Sequence, residues 1–162
     1  MEIRSNTVRF SLIAMFSALC AIMTSVLKVP SPTGYTHIGD VAIYVTALLF
    51  GSYMGGCVGA IGSTVADLVV GYPKWYVTIF AHGFQGLIAG QGKNKHVLIQ
   101  IMIAVIGGIV MSVTYWSVNI IIFGRELAFG SLIRDLFGQT AVSVAVSIPV
   151  VKAVQRMRKK EV

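Results

Sequence analysis

The chain has 162 residues, of which 56% are hydrophobic and only 12% charged, with a formal net charge of +7 and a mean hydropathy of +0.80. Soluble domains carry about a quarter charged residues, so the composition excludes a water-soluble globular protein and the nucleic-acid partner that a basic chain otherwise invites. A helical span takes roughly 20 apolar residues, which predicts an all-α membrane protein: one integral membrane domain over residues 1–162, a bundle of six transmembrane helices.

In chain order, the first span covers residues 8–27, after Arg4 and Arg9. The apolar run is too long for a cleavable signal peptide. It carries Ala14 and Ala18 one helical turn apart, small residues that let a second helix approach closely in a membrane. Residues 28–37 form a loop broken by Pro30 and Pro32. Spans two (38–53) and three (56–70) are joined by an uncharged turn, and Gly51, Gly55 and Gly59 predict a tight hairpin with small residues in its seam. Asp67 lies near the far end of span three, followed by a loop with Tyr72, Lys74 and Trp75. Span four (76–90) sets His82 and Gln85 three residues apart on one face. Span five (97–123) is long enough to tilt. A loop with Arg125 and Glu126 leads to span six (131–154), where Pro149 predicts a kink. Cys20 and Cys57 read as packing residues without metal-ligand spacing.

Six spans place both termini on the side of the 91–96 loop. That side holds nine basic residues: Arg4, Arg9, Lys93, Lys95, Lys152, Arg156, Arg158, Lys159 and Lys160. The other side holds four: Lys28, Lys74, Arg125 and Arg134. The excess predicts cytoplasmic termini, and it puts the unusual polar residues at the outer end. Polar groups at membrane depth are costly unless they line a cavity or bind something. The expected substrate wall is therefore Thr33, Tyr35, Thr36, His37 and Asp40 of the first loop region, Lys74 and Trp75 before span four, and His82 and Gln85 within it. Tyr115 and Asn119 on span five and Arg134, Asp135 and Gln139 on span six complete it. Structural alternatives stand beside these roles. Asp40 is placed to cap span two, Asp67 to snorkel, and Tyr35, Trp75, Tyr115 and Trp116 to form an interfacial aromatic belt. Arg134 and Asp135, being adjacent, point to different helix faces and are not expected to pair directly.

Protease, nucleotide-binding and hydrolase-elbow motifs are absent. No enzyme activity is expected, no catalytic residue, no metal and no cofactor bound by this chain, and the chain has no means of powering transport by itself.

The run Pro32-Thr33-Gly34-Tyr35-Thr36-His37-Ile38-Gly39-Asp40, the glycines between Gly51 and Gly62, and Ala66-Asp67-Leu68 through Gly71-Tyr72-Pro73-Lys74-Trp75 resemble the substrate-binding S component of energy-coupling factor (ECF) vitamin transporters. The branch resembled holds the riboflavin-, pyridoxine- and hydroxymethylpyrimidine-type S components. The resemblance implies a six-helix S component in a bacterial cell membrane, with its first loop as a lid over a vitamin site. It also implies a transmembrane coupling protein and two cytoplasmic ATPases as partners, with Ala14 and Ala18 on the docking face. Relatives often carry Lys-Gly-x-Glu-Gly on span four, whereas this chain has His82-Gly83-Phe84-Gln85-Gly86. Neutral and titratable donors suit an uncharged hydroxylated ring, so a pyridoxine-like or hydroxymethylpyrimidine-like solute is the expected substrate. Two rivals make other predictions. A self-sufficient six-span secondary transporter needs no partner, and a membrane scaffold without a ligand fills its outer polar cluster with internal hydrogen bonds.

Overall fold

The structure, a computed structural model, describes residues 5–160. Arg4 of the charge count lies outside the described residues, as do the side chains of Arg158, Lys159 and Lys160. Helix α1 spans Asn6–Val26. The segment expected as an irregular loop is instead an antiparallel hairpin of β1 (Lys28–Ser31) and β2 (Gly34–His37), with Ser31 opposite Gly34 and Lys28 opposite His37. Helices α2 (Asp40–Phe50) and α3 (Ser52–Val70) meet at a single residue, Gly51, whose φ of 106° favours glycine. That is a shorter break than the turn expected between spans two and three. Helix α4 (Trp75–Ala89) ends in a short 3₁₀ turn, Gly90–Gly92, before α5 (Val97–Phe123).

The last span also departs from expectation. Arg125 and Glu126 open α6 (Arg125–Arg134) rather than sitting in a loop, and the chain continues through a π-helical stretch, Asp135–Ala141, into α7 (Val142–Lys160) with Pro149 inside it. Among the described residues, four helical stretches are long and apolar enough to cross a membrane: Asn6–Val26, Ser52–Val70, Val97–Phe123 and Arg125–Met157. With the shorter α2 and α4 they make up the bundle. Phe10, Met15, Ile22, Leu68, Phe80, Met102 and Ile121 point outward, as side chains facing lipid do.

Helix α2 organises the packing. All of its residues from Asp40 to Leu49 are buried, because it is apolar all round and therefore surrounded. Ile43 packs with Ile13, Cys20 and Val58 on one flank, Leu48 with Val151 on another, and Tyr44 with Ala89 and Ala104 on a third. Eleven residues give about 16 Å of helix, roughly half of a 30 Å hydrocarbon core. The depth above Asp40 is left to the β-hairpin and the polar side chains beneath it.

Gly55 does lie in the α2–α3 seam, where an added Cβ would come 2.5 Å from Ala47 Cβ, and the glycines also bring α3 against α4. A Cβ on Gly86 would lie 2.1 Å from the Gly55 carbonyl oxygen, and one on Gly59 2.1 Å from the His82 carbonyl oxygen. Backbone therefore touches backbone along this seam. The contact sets the height at which α4 presents His82 and Gln85.

Candidate binding site

Beneath the hairpin lies a cavity of about 20 Å³ lined by Tyr35, His37, Asp67, Tyr72, His82, Met111, Tyr115, Asn119, Arg134, Asp135 and Gln139. A single water needs about 10–15 Å³ of such space, so the space is that of a single water rather than of a vitamin. Its walls come from the hairpin, α3 and the loop after it, α4, α5, the end of α6 and the π-helical stretch, which converge on one end of the bundle.

The floor is Asp40, fully buried at the first residue of α2. It does not cap its own helix: Gly39 holds the N-cap position. Its Oδ2 instead accepts from Gln85 Nε2 at 2.8 Å and Gln139 Nε2 at 3.0 Å. Gln85 Nε2 also donates to the Tyr44 hydroxyl at 2.9 Å. The Gln85 amide thus has its nitrogen toward Asp40 and its Oε1 toward His82 Nδ1, 2.7 Å away. An amide oxygen only accepts, which assigns the His82 hydrogen to Nδ1. His37 has the opposite arrangement, its Nδ1 accepting from Gly39 N–H at 3.2 Å. Burial keeps His37 neutral, its pKa pushed down to about 4, with the neighbouring Asp40 carboxylate opposing that shift.

A second cluster surrounds Asp67. Snorkelling is not its role: it is 3% exposed and accepts hydrogen bonds from the Tyr35 hydroxyl and Thr78 Oγ1. Thr78 Oγ1 in turn accepts from the Tyr115 hydroxyl at 2.5 Å. Burial, and then Asp67, hold the Tyr35 phenol well above its usual range, so it remains a donor. Tyr35 and Tyr115 therefore belong to the site and not to an interfacial belt.

Two cations fasten the hairpin over this floor. Lys74 donates to the Thr33 carbonyl at 2.9 Å and to Asn119 Oδ1 at 2.6 Å, and its ammonium lies 4.8 Å from the Phe123 ring centroid. Burial, and then the Arg134 charge, press its pKa down to about 8. Arg134 donates to Ser31 Oγ and, at 3.0 Å, to Thr33 Oγ1. Sequence adjacency misled on the Arg134–Asp135 pair: Arg134 Nε and Nη2 both donate to Asp135 Oδ1, at 2.9 and 2.7 Å. The long arginine stem curls back, and the widened π turn keeps Asp135, Gln139 and Thr140 all buried.

Lys74→Met should loosen the hairpin, because hydrogen bonds from a charged donor are worth about 1.5–3 kcal/mol. Amide exchange at residues 28–37 is then expected to accelerate about tenfold or more, with exchange along α2 unchanged. Equal protection in wild type and variant would show that Lys74 is not a latch.

The structure brings most of the residues expected on the substrate wall to one end of the bundle. Tyr35, His37, His82, Tyr115, Asn119, Arg134, Asp135 and Gln139 line the cavity, while Thr33, Asp40, Lys74 and Gln85 support it from behind. Trp75 does not join them; it is 41% exposed, with its ring edge-on to Tyr76. Thr36 does not line the cavity, and its buried hydroxyl has no hydrogen-bond partner among the described residues. Sequence reasoning left out Asp67, Tyr72 and Met111 as lining residues. Asp67 was the most legible of these, as a carboxylate inside an apolar span.

The buried Asp, Lys and His side chains among the described residues (His37, Asp40, Asp67, Lys74, His82 and Asp135) gather in and around one polar chamber of this helical membrane protein. The chain belongs to the family of ECF-type riboflavin transporter S components, whose profile matches residues 4–159. An uncharacterized protein of Pyrococcus woesei is 36% identical over 121 residues, 71% of this chain and 80% of that protein. A UPF0397 protein of Lactobacillus helveticus is 32% identical over 81 residues (49% of this chain, 44% of the relative), and one of Streptococcus pneumoniae 33% identical over 93 residues (56% and 50%). The chain thus spans about half the length of these UPF0397 relatives.

Proposed function

We propose that this chain is the solute-capturing S component of an ECF-type importer and takes up a water-soluble vitamin or vitamin precursor. A pyridoxine-like or hydroxymethylpyrimidine-like ring is its first candidate ligand. The observation that carries this reading is the convergence of titratable and amide side chains from the hairpin and the helices around it on one chamber. Such groups are expensive inside an apolar bundle, and the family membership gives them a purpose. In this reading the hairpin is the lid. A ring larger than water enters only when the hairpin's bonds to Lys74 and Arg134 open and the chamber widens. His82 and Gln85, where relatives often carry a charge pair, favour an uncharged hydroxylated ring. The chain binds no nucleotide and relies on a transmembrane coupling protein and two ATPases, with both termini in the cytoplasm.

The scaffold reading draws on one specific observation. The chamber is small, and most of its polar groups are satisfied by one another. Ligand binding separates the two. Native mass spectrometry of the purified protein should find a co-purified vitamin, and calorimetry with pyridoxine, hydroxymethylpyrimidine and riboflavin should show saturable binding to one of them. No co-purified molecule and no heat from any member of the panel would favour the scaffold.

Docking gives a further prediction. Ala14 and Ala18 are exposed on α1, where the resemblance places the coupling protein. Ala18→Trp adds a bulky ring to a face made for close approach, so vesicle uptake with the complete transporter should fall about tenfold or more, a loss of about 1.4 kcal/mol or more of association energy. Vitamin binding by the isolated chain should be unchanged. Undiminished uptake would remove this face from the docking surface.

A further inference from the structure

His37 on β2, Asp40 on α2 and His82 on α4 are all buried, and a ligand atom from each lies within 4.8 Å of the other two. The two oxygens of Asp40 are not equivalent. Oδ2 takes both amide donors, while Oδ1 has no hydrogen-bond partner and faces His82 Nδ1 at 3.3 Å and His37 Nδ1 at 3.9 Å. A buried carboxylate oxygen without a donor or cation is costly. Neither nearby cation relieves it: Lys74 is committed to Thr33 and Asn119, and Arg134 to Asp135 and the hairpin.

We propose that His37, Asp40 and His82 form a site for a divalent first-row transition ion of borderline softness, Zn²⁺ foremost, at the floor of the cavity. Two imidazoles and a carboxylate are a ligand set such ions take, with three protein ligands leaving a fourth position open. The cavity that His37 and His82 also line has room for about one water there. Ligating histidines characteristically donate their second ring nitrogen to a carbonyl or carboxylate. At His82 the nitrogen that faces Asp40 Oδ1 is Nδ1, 2.7 Å from Gln85 Oε1, so ligation there takes the tautomer with its hydrogen on Nε2 and displaces the Gln85 contact. At His37 the ion displaces the long 3.2 Å contact from Gly39 N–H. Metal–ligand bonds of about 2.0–2.1 Å put tetrahedral ligand atoms about 3.3 Å apart, so the triad has to close by an ångström or so. Gln139 and Gln85 hold the carboxylate from behind during that closure. The inference stands apart from solute capture, because it concerns the ion alone.

The test uses tag-free full-length protein in detergent, stripped with EDTA and returned to chelator-free buffer. Titration with Zn²⁺ should give one saturable site per chain, and Mg²⁺ should give none. Asp40→Asn and His82→Gln should each weaken Zn²⁺ at least about 100-fold, since even supporting residues cost 10–100-fold. His96→Ala, at an exposed loop histidine, should leave binding unchanged. Should the buried variants fail to fold, Co²⁺ on the wild-type chain decides: a visible d–d spectrum of low-symmetry nitrogen and oxygen coordination is expected, displaced by Zn²⁺. Absence of stoichiometric Zn²⁺ binding, survival of that binding in folded Asp40→Asn and His82→Gln, its loss in His96→Ala, or a purely hexa-aquo Co²⁺ spectrum would overturn the site. Vitamin binding measured in EDTA reports on solute capture separately.

Discussion

Asp40→Ala should weaken vitamin binding about 100-fold or more while leaving the bundle folded. The carboxylate receives Gln85 and Gln139 from two different helical segments. Deleting it frees both amides from their shared anchor, on α4 and on the π-helical stretch that wall the chamber. Gln139 Nε2 loses its partner among the described residues, and an unsatisfied buried donor costs about 1–3 kcal/mol. Gln85 keeps the Tyr44 hydroxyl. The variant also removes a buried charge that lacks a full counter-ion, which offsets part of the loss. Affinity should therefore fall further than stability. Gln139→Ala should show the same pattern with a smaller loss, since Asp40 retains Gln85. The check is calorimetry in detergent with whichever vitamin of the panel binds wild type, alongside thermal unfolding of each variant. Unchanged affinity in both variants would remove the floor of the chamber from the binding site.

Gly86→Val should be the most damaging substitution to the fold. The new Cβ would fall 2.1 Å from the Gly55 carbonyl oxygen and 2.4 Å from its carbon. Both are backbone atoms, and no side-chain rotamer relieves the clash, so α3 and α4 must separate. Overpacking typically costs about 1–3 kcal/mol and occasionally more, and a backbone clash belongs at the upper end, about 3 kcal/mol. Separation also moves Gln85, the preceding residue, away from Asp40, so vitamin binding should fall in parallel. Gly130→Ala is the control: on α6 the added Cβ meets nothing within 4 Å, and stability should stay the same or rise by about 0.4–1 kcal/mol. Equal melting temperatures for Gly86→Val and wild type would mean that the α3–α4 seam is looser than the glycine contacts require.

Much of the architecture was legible in the chain itself. Apolar runs of spanning length fix how much backbone must be helical, since hydrocarbon leaves the amide groups no other partner. The small residues from Gly55 to Gly86 marked where helices touch, although not which pair. The polar residues on the wall were identifiable because each is out of place in a membrane segment. Their partners were not. Hydrogen bonding between Asp40 and Gln139, between Lys74 and Asn119, or between Arg134 and Ser31 joins positions far apart in the chain, and one sequence carries no periodicity that records such pairs.

Local rules also failed where tertiary context overrode them. The two prolines at 30 and 32 suggested an irregular loop, yet both fit a two-stranded hairpin with free edges, where a missing N–H costs little. Adjacent residues on an ideal helix diverge, yet Arg134 and Asp135 pair because the side chain is long and the helix widens into a π turn. Sequence alone determined that this chain must bury costly polar groups within a small apolar bundle. Only the tertiary structure decided which of them meet, because hydrogen bonds and ion coordination depend on distances between segments that the order of residues does not specify.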